Sequence, residues 1–331
     1  MKKYSISIFI IILSSLKMNA QDFVFSQYFA SQPYLNPAMT GFYDGSYRIN
    51  AQYRTQWNTI NSGISTYGVN GEFKLGDHEG EKDYVGLGVG LYRDDIYGRI
   101  SYNSGRINAS YTKRLGYGET KHFLSLRTNF GMDMKQVNTN FVTSQNQQEY
   151  IQKSSIFVPN LGLGLNYQII FPSFANVFFG GAVDHLVTDK ASVFNQDIQN
   201  PKRITVYTSA RLKAGEQIFL LPTFLTVMQG THRQINYGVS AQLLMREYYN
   251  YKTNLQLGIY TRMGNEGFDA IIGMVRYENR GVQLGLSYDH NLNELSSATN
   301  GFGAIEMSLG YIGIIEKVMK SRSECPNLKN F

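Results

Sequence analysis

Polar and apolar side chains alternate with a period of two along most of the chain, and residues 46–57 show the pattern. One face carries Ser46, Arg48, Asn50, Gln52, Arg54 and Gln56, and the other carries Tyr47, Ile49, Ala51, Tyr53, Thr55 and Trp57. Alternate side chains of a β-strand point to opposite faces of its sheet. The pattern therefore predicts a strand with one polar and one apolar face, as in a soluble sandwich or a membrane barrel.

The same alternation recurs between breaks that are rich in Gly, Asn, Asp and Lys. The predicted strands are 46–57, 63–74, 83–94, 99–114, 122–135, 157–168, 177–187, 202–213, 216–227, 235–246, 252–262, 267–278, 281–290 and 302–313. An even number of strands of this length is typical of single-chain bacterial membrane barrels. We therefore predict an all-β fold, a transmembrane antiparallel up-and-down β-barrel of about fourteen strands.

Loop lengths give the barrel a predicted orientation. The three longest gaps, 136–156, 188–201 and 291–301, each follow an odd-numbered strand. Outer-membrane barrels have long extracellular loops and short periplasmic turns. If the mature N-terminus is periplasmic, all three long loops face the outside.

The N-terminus is typical of a secretory signal. Lys2 and Lys3 precede the apolar stretch 6–16, and we predict cleavage after Ala20 and Sec-dependent export. The apolar stretch is shorter than the ~20 residues of a spanning helix, and no later segment approaches that length, which excludes a helical membrane protein. The predicted organisation is a signal peptide at 1–20, a strap or plug segment at 21–45, an outer-membrane barrel at 46–313 and a tail at 314–331.

Charge and cysteine content narrow the function classes. The formal net charge is +6, but removal of Lys2, Lys3 and Lys17 leaves 28 basic against 25 acidic residues, a balance of +3. The remaining basic residues are spread along the chain, so a nucleic-acid partner is not predicted. Because Cys325 is the one cysteine, the chain has no intramolecular disulfide.

Two groups of residues are candidate sites. Polar residues on one face of the first strand are candidates for lining the lumen, where they tune permeation or pair with acidic groups such as Glu72. This group comprises Arg48, Arg54 and Gln56, with Arg93, Arg106 and Arg211 as extensions of it. Candidates for partner binding or for a plug are Phe25, Gln27, Tyr34, Leu35, Asn36 and Pro37. The same residue types also suit a structural strap, in which Asn36-Pro37 sets a turn and Gly41 supplies a positive φ.

Catalytic and metal-binding motifs are not recognisable. His185 and His290 each follow an aspartate, which is an arrangement of some metal ligands and general bases. The five histidines, however, form no HExxH spacing, and no serine lies in a GxSxG motif. We predict no catalytic residues, no metal site, no cofactor and no enzymatic activity.

The opening of the mature chain resembles that of the PorP/SprF family of outer-membrane proteins from the type IX secretion and gliding systems of Bacteroidota. The similar residues are Phe25-Ser26-Gln27-Tyr28, Tyr34-Leu35-Asn36-Pro37-Ala38, Gly41, Arg48, Tyr53-Arg54 and Gln56-Trp57. Later similar pieces are Gly181–Leu186, Tyr288-Asp289 with Gly301 and Glu306, and Cys325-Pro326. The resemblance covers roughly residues 21–326.

The resemblance implies a non-enzymatic component that helps export, anchor or present a large surface protein, such as an adhesin with a C-terminal sorting domain. The implied partners are that surface protein, outer-membrane lipid and other type IX secretion or periplasmic components. The sequence leaves two alternatives open. The first is a porin or small-solute transporter, because an open lumen of about fourteen strands can conduct. The second is a lipid-modifying enzyme.

Overall fold

The protein forms a closed barrel of fourteen strands. The computed structural model describes residues 22–30, 32–36, 39–58, 63–76, 82–116, 118–138, 155–187, 200–247 and 252–315. The strands are β1 (Tyr47–Gln56), β2 (Ile64–Gly76), β3 (Tyr84–Ile96), β4 (Ile100–Leu115), β5 (Lys121–Val137), β6 (Ser155–Phe171), β7 (Ala175–Asp184), β8 (Arg203–Lys213), β9 (Ile218–Gln229), β10 (His232–Glu247), β11 (Lys252–Gly264), β12 (Gly267–Asn279), β13 (Val282–Asn291) and β14 (Phe302–Gly313). Within these described residues, two short helices span Gln32–Leu35 and Leu295–Thr299.

Every strand pairs antiparallel with its neighbours in the chain, and β1 pairs with β14 to close the sheet. The closing register runs from Tyr47 opposite Gly313 to Gln56 opposite Ala304. The predicted up-and-down barrel of fourteen strands is therefore confirmed. The predicted signal peptide, Pro37 and Cys325 lie outside the described residues.

Strand ends differ from the predicted ones by a few residues. The strand predicted at 177–187 ends at Asp184, because His185 has a positive φ of 58° that an extended strand does not allow. Conversely, β5 and β6 are each longer than predicted and continue beyond β7 at one end of the barrel. Pro159 lies in this overhang, beyond the last residue pair between β6 and β7, so its missing N–H costs no ladder bond on that side.

The outer wall is an apolar belt. The outward side chains include Leu91, Ile107, Phe130 and Phe157, each more than 60% exposed. Exposure of so many large apolar side chains suits lipid and not water. Separately, neither described helix has the length and apolar composition needed to cross a bilayer.

The two ends of the barrel differ. We call the end with the connections 138–154, 185–202 and 292–301 the long-loop end, and the end where β1 begins and β14 ends the short-turn end. The turn Arg280-Gly281 is typical of the second end. By the loop-length rule for outer-membrane barrels, the long-loop end is predicted to face the outside.

The barrel interior contains the chain's own N-terminal region. Residues 22–46, which we call the inner segment, have most of their described side chains buried against inward-facing residues of the wall. The core of this protein therefore lies between the inner segment and the barrel wall.

Candidate functional site

The inner segment passes through the lumen from the long-loop end to the short-turn end. At its start, Asp22 contacts His185, which follows β7, and Gln229, the last residue of β9. At its far end, Gly41 contacts Glu72 of β2, and Ser46 leads directly into β1. The described part of the segment forms no strand, so side chains of the wall must satisfy much of its buried backbone.

Glu306 of β14 binds the backbone of the segment near its start. Its carboxylate accepts hydrogen bonds from the backbone N–H groups of Ser26 at 2.7 Å and Gln27 at 2.9 Å. The Gln27 side chain donates to the backbone carbonyl of Glu306 at 2.9 Å and accepts from the Ser308 hydroxyl at 2.7 Å. Arg54 of β1 lies 3.3 Å from the Glu306 carboxylate and balances its charge. Two residues singled out from the sequence, Gln27 and Arg54, thus meet at one buried carboxylate.

Asp289 of β13 extends this network. Its carboxylate accepts from the Ser26 hydroxyl at 2.8 Å, from Arg54 at 2.9 Å and from Arg262 of β11 at 2.8 Å. Arg262 also pairs with Asp269 of β12. We call Ser26, Gln27, Arg54, Arg262, Asp289 and Glu306 the Glu306 cluster. It ties the inner segment to β1, β11, β13 and β14 through charges that pair with one another.

A second carboxylate holds the far end of the segment. The Glu72 side chain accepts from the backbone N–H of Gly41 at 3.0 Å and from Arg48 of β1 at 2.7 and 2.9 Å. Arg48 also donates to the Gln32 side chain at 2.9 Å. Gly41 has a φ of 77°, which a residue with a side chain seldom adopts. Both ends of β1 therefore supply an arginine to a carboxylate that binds the segment.

Asp22 lies in a third buried polar group near the long-loop end. Its carboxylate is 2.8 Å from His185 Nε2, 3.7 Å from Arg203 and 3.9 Å from Arg106. Burial raises the pKa of the Asp22 carboxyl, but His185, Arg203 and Arg106 together outweigh burial and hold that pKa well below its usual range. His185 is oriented by Asp22 and not by its sequence neighbour Asp184, which instead accepts from Asn129 at 2.7 Å.

Aromatic side chains of the segment fill the space between these polar groups. The Tyr34 ring stacks on Phe23 with centroids 4.5 Å apart, and the guanidinium carbons of Arg106 and Arg203 lie 4.8 and 4.7 Å from its centroid. Two further clusters pack on apolar inward residues of distant strands. One comprises Tyr28, Leu35 and Met39 with Tyr207, Leu225 and Val227, and the other comprises Phe29 with Tyr260, Ile272 and Met274.

Inward-facing glycines make room for the segment. A Cβ on Gly285 of β13 would overlap the Gln27 side chain, and one on Gly86 of β3 would overlap Ser110 and crowd the backbone of Thr40. By contrast, a Cβ on Gly273, an outward position of β12, would meet no atom within 4 Å. The wall is therefore shaped to the segment as well as hydrogen-bonded to it.

The predicted site residues lie as follows. Phe25, Gln27, Tyr34, Leu35 and Asn36 are all at most 3% exposed, and the Asn36 amide donates to the Leu165 and Gly181 carbonyls at 3.4 and 3.3 Å. Arg48 and Arg54 are buried on the inner face of β1, and half-buried Gln56 accepts from Arg54 at 3.1 Å.

The sequence predicts three arginines as extensions of the lumen lining. Arg106 and Arg211 face inward, but Arg93 lies on the outer wall and pairs with Asp95, so its assignment to the lining was wrong. The reason is the phase of β3, whose inward positions are Gly86, Gly88, Gly90, Tyr92 and Asp94.

Sequence reasoning missed Asp22, Arg203 and Arg262 as residues that hold the segment. The signal for the two arginines was their position on the polar face of an alternating strand. Asp22 offered no such signal, because it precedes every strand. Among the described residues, no group of three or more His, Cys, Asp or Glu side chains could hold a metal ion.

Structural comparison finds membrane barrels at low sequence identity. The CymD monoaromatic hydrocarbon channel is 9% identical, with a TM-score of 0.50 over 87% of this chain and 93% of that one. The toluene transporter TbuX of Ralstonia pickettii is 10% identical, with a TM-score of 0.48 over 85% of this chain and 92% of that one. At these identities the likeness to CymD shows the fold alone. A search of curated protein sequences finds no match.

A family profile matches residues 17–311, which include the inner segment and nearly the whole barrel. The family is described as type IX secretion system membrane protein PorP/SprF. With its closed barrel and apolar outer belt, the chain is an outer-membrane β-barrel. The chain belongs to the PorP/SprF family of type IX secretion system membrane proteins.

Proposed function

We propose that this barrel helps export, anchor or present a large surface protein in type IX secretion, and that the inner segment acts as a plug. The observation that carries the proposal is the occupied lumen. Three buried polar groups and three apolar clusters hold the segment in place along the barrel axis. A barrel filled by its own chain is suited to binding a protein at its ends more than to passing solutes.

The long-loop end is the surface we assign to the cargo. It carries the three longest connections, 138–154, 185–202 and 292–301, and the last contains the helix Leu295–Thr299. Phe25 and Tyr34, which are buried in the lumen, contact a partner only if the segment leaves the barrel. The proposed partners are a secreted protein with a C-terminal sorting domain and other components of the secretion system.

The test is affinity purification of the tagged full-length protein from its native membranes in mild detergent, followed by mass spectrometry. An unrelated outer-membrane barrel of similar abundance serves as the control. We expect specific recovery of a large surface protein with a sorting domain, and release of that protein from the cell surface when this barrel is deleted. Normal surface attachment without the barrel, together with recovery of the barrel alone, would contradict the proposal.

A further inference from the structure

The outer wall contains a groove that the lumen and its plug do not explain. It has a volume of about 540 Å³ and crosses β2 to β6. Its apolar lining includes Leu91, Met132 and Phe157, which are 62%, 49% and 64% exposed. Gly105 of β4 forms part of the floor, and a Cβ there would meet only Leu91, at an ordinary 3.6 Å. The groove is open, apolar and within the lipid-facing belt.

One end of the groove is polar. Arg93 stands three residues before the end of β3, with Tyr67 opposite it on β2 and Asn103 opposite it on β4. Its side chain is 54% exposed and lies 3.1 Å from Asp95 on the same strand. The Asp95 carboxylate also accepts from the backbone N–H of Gly98 at 2.8 Å, so a phosphate can take the guanidinium while Asp95 keeps a partner.

We infer that this groove binds a phosphorylated glycolipid of the outer leaflet, of the lipid A class, with one acyl chain on its apolar floor and a phosphate at Arg93. We assign this ligand because of the positive charge of Arg93 and its position along the barrel axis. Arg93 is near the long-loop end, where the outer leaflet has its headgroups if that end faces outward. Methionine adapts to irregular apolar ligands, which suits Met132 to an acyl chain.

A second groove provides a comparison on the same wall. It has a volume of about 720 Å³, crosses β12, β13, β14, β1 and β2, and includes no charged residue in its lining. It offers the same apolar chemistry without a phosphate partner. The second groove therefore lacks the cation that would select a phosphorylated lipid.

The test measures retention of bis-phosphorylated lipid A by the purified full-length barrel, by native mass spectrometry in detergent. The same lipid with its phosphates removed is the second probe.

The variant Arg93→Gln with Asp95→Asn removes both charges of the pair, so that no unpaired carboxylate remains to repel phosphate. Gly105→Phe fills the floor. Arg233→Ala removes an outward cation at the same end of the barrel, in β10, and is the matched control. A heat-modifiability gel confirms that each variant folds.

We expect one retained lipid A per wild-type barrel and about tenfold weaker retention by the double variant, the loss of a charge-assisted hydrogen bond. Gly105→Phe should abolish retention, Arg233→Ala should leave it unchanged, and the phosphate-free lipid should bind wild type as weakly as lipid A binds the double variant. Equal retention of both lipids by wild type, or full retention by the double variant, would overturn the headgroup assignment. Full retention by Gly105→Phe would overturn the assignment of this groove as the binding site for the acyl chain.

Discussion

Glu306 and Glu72 accept hydrogen bonds from the backbone of the inner segment, as the carbonyls of a neighbouring strand do for a strand of the barrel wall. Each carboxylate accepts backbone N–H groups that are buried in the lumen, at Ser26 and Gln27 in one case and at Gly41 in the other. A buried N–H without a partner costs about 1–3 kcal/mol, so these acceptors are needed wherever the chain leaves regular structure. Each carboxylate also has an arginine of β1 beside it, which offsets the cost of burying its charge.

At this scale we predict that Glu306→Gln lowers the free energy of unfolding by about 3 kcal/mol, because it leaves Arg54 with a single buried acid and weakens the hold on Ser26 and Gln27. The measurement is denaturant unfolding of the purified barrel in detergent micelles. Glu247→Gln, at a side chain that is 60% exposed, is the matched control and should change stability by less than about 0.5 kcal/mol. Equal unfolding midpoints for the two variants would show that the Glu306 carboxylate does not contribute to stability.

At the scale of elements, β1 connects the inner segment to the closure of the barrel. It pairs with β14 on one side and β2 on the other, and these two strands carry Glu306 and Glu72, the carboxylates that accept from the backbone of the segment. On the next strand, Gly285 of β13 lies against Gln27. The segment and the seam that closes the sheet are therefore expected to form together, since each supplies polar partners to the other.

We predict that Gly285→Val destabilises the barrel by about 2 kcal/mol, because the new side chain displaces Gln27 from the Glu306 cluster. Limited proteolysis should also cleave the inner segment faster in this variant. The control is Gly273→Val, the same substitution at an outward position of the neighbouring strand β12, where no atom lies within 4 Å of the added Cβ. Similar cleavage rates in the two variants would mean that the segment tolerates a side chain at residue 285.

The whole molecule is a barrel with an apolar outer belt and an interior that is apolar where the segment packs. Leu225, Val227, Ile272 and Met274 all face inward. A water-filled pore would expose these side chains, whereas Tyr28, Phe29 and Leu35 cover them. This distribution is the reason to expect a closed lumen, and it separates the secretion proposal from the porin alternative.

We therefore predict little single-channel conductance for the wild-type protein in planar bilayers and clear conductance after deletion of residues 22–44. If the deletion prevents assembly, a full-length variant with Phe25, Tyr34 and Leu35 each changed to Ser tests the same point. This variant weakens the packing of the inner segment but keeps the hydrogen bonds from its backbone to Glu306 and Glu72. Steady conductance by wild type, unchanged in the triple variant, would favour the porin alternative.

The alternation of side chains was enough to predict the number of strands, their antiparallel order and, apart from positions such as Arg93, their two faces. A period of two depends only on neighbouring residues and on the requirement that one face meets lipid and the other the interior. The inward placement of Arg48 and Arg54 follows from that same local pattern. The ends of the strands were predicted less accurately from the alternation. At His185, for example, a positive φ ends β7 earlier than predicted.

The tertiary structure alone decided where residues 22–46 lie and what binds them. Ser26 and Glu306 are 280 residues apart, and Asp22 and Gln229 are 207 apart. No local pattern encodes such pairs, because the partners meet only when the sheet closes and brings β14 and β9 around the lumen. The glycines of β3 show the same limit. As a sequence they indicate only a curved, closely packed strand, and the space they leave at Gly86 for Thr40 exists only once the segment is inside the barrel.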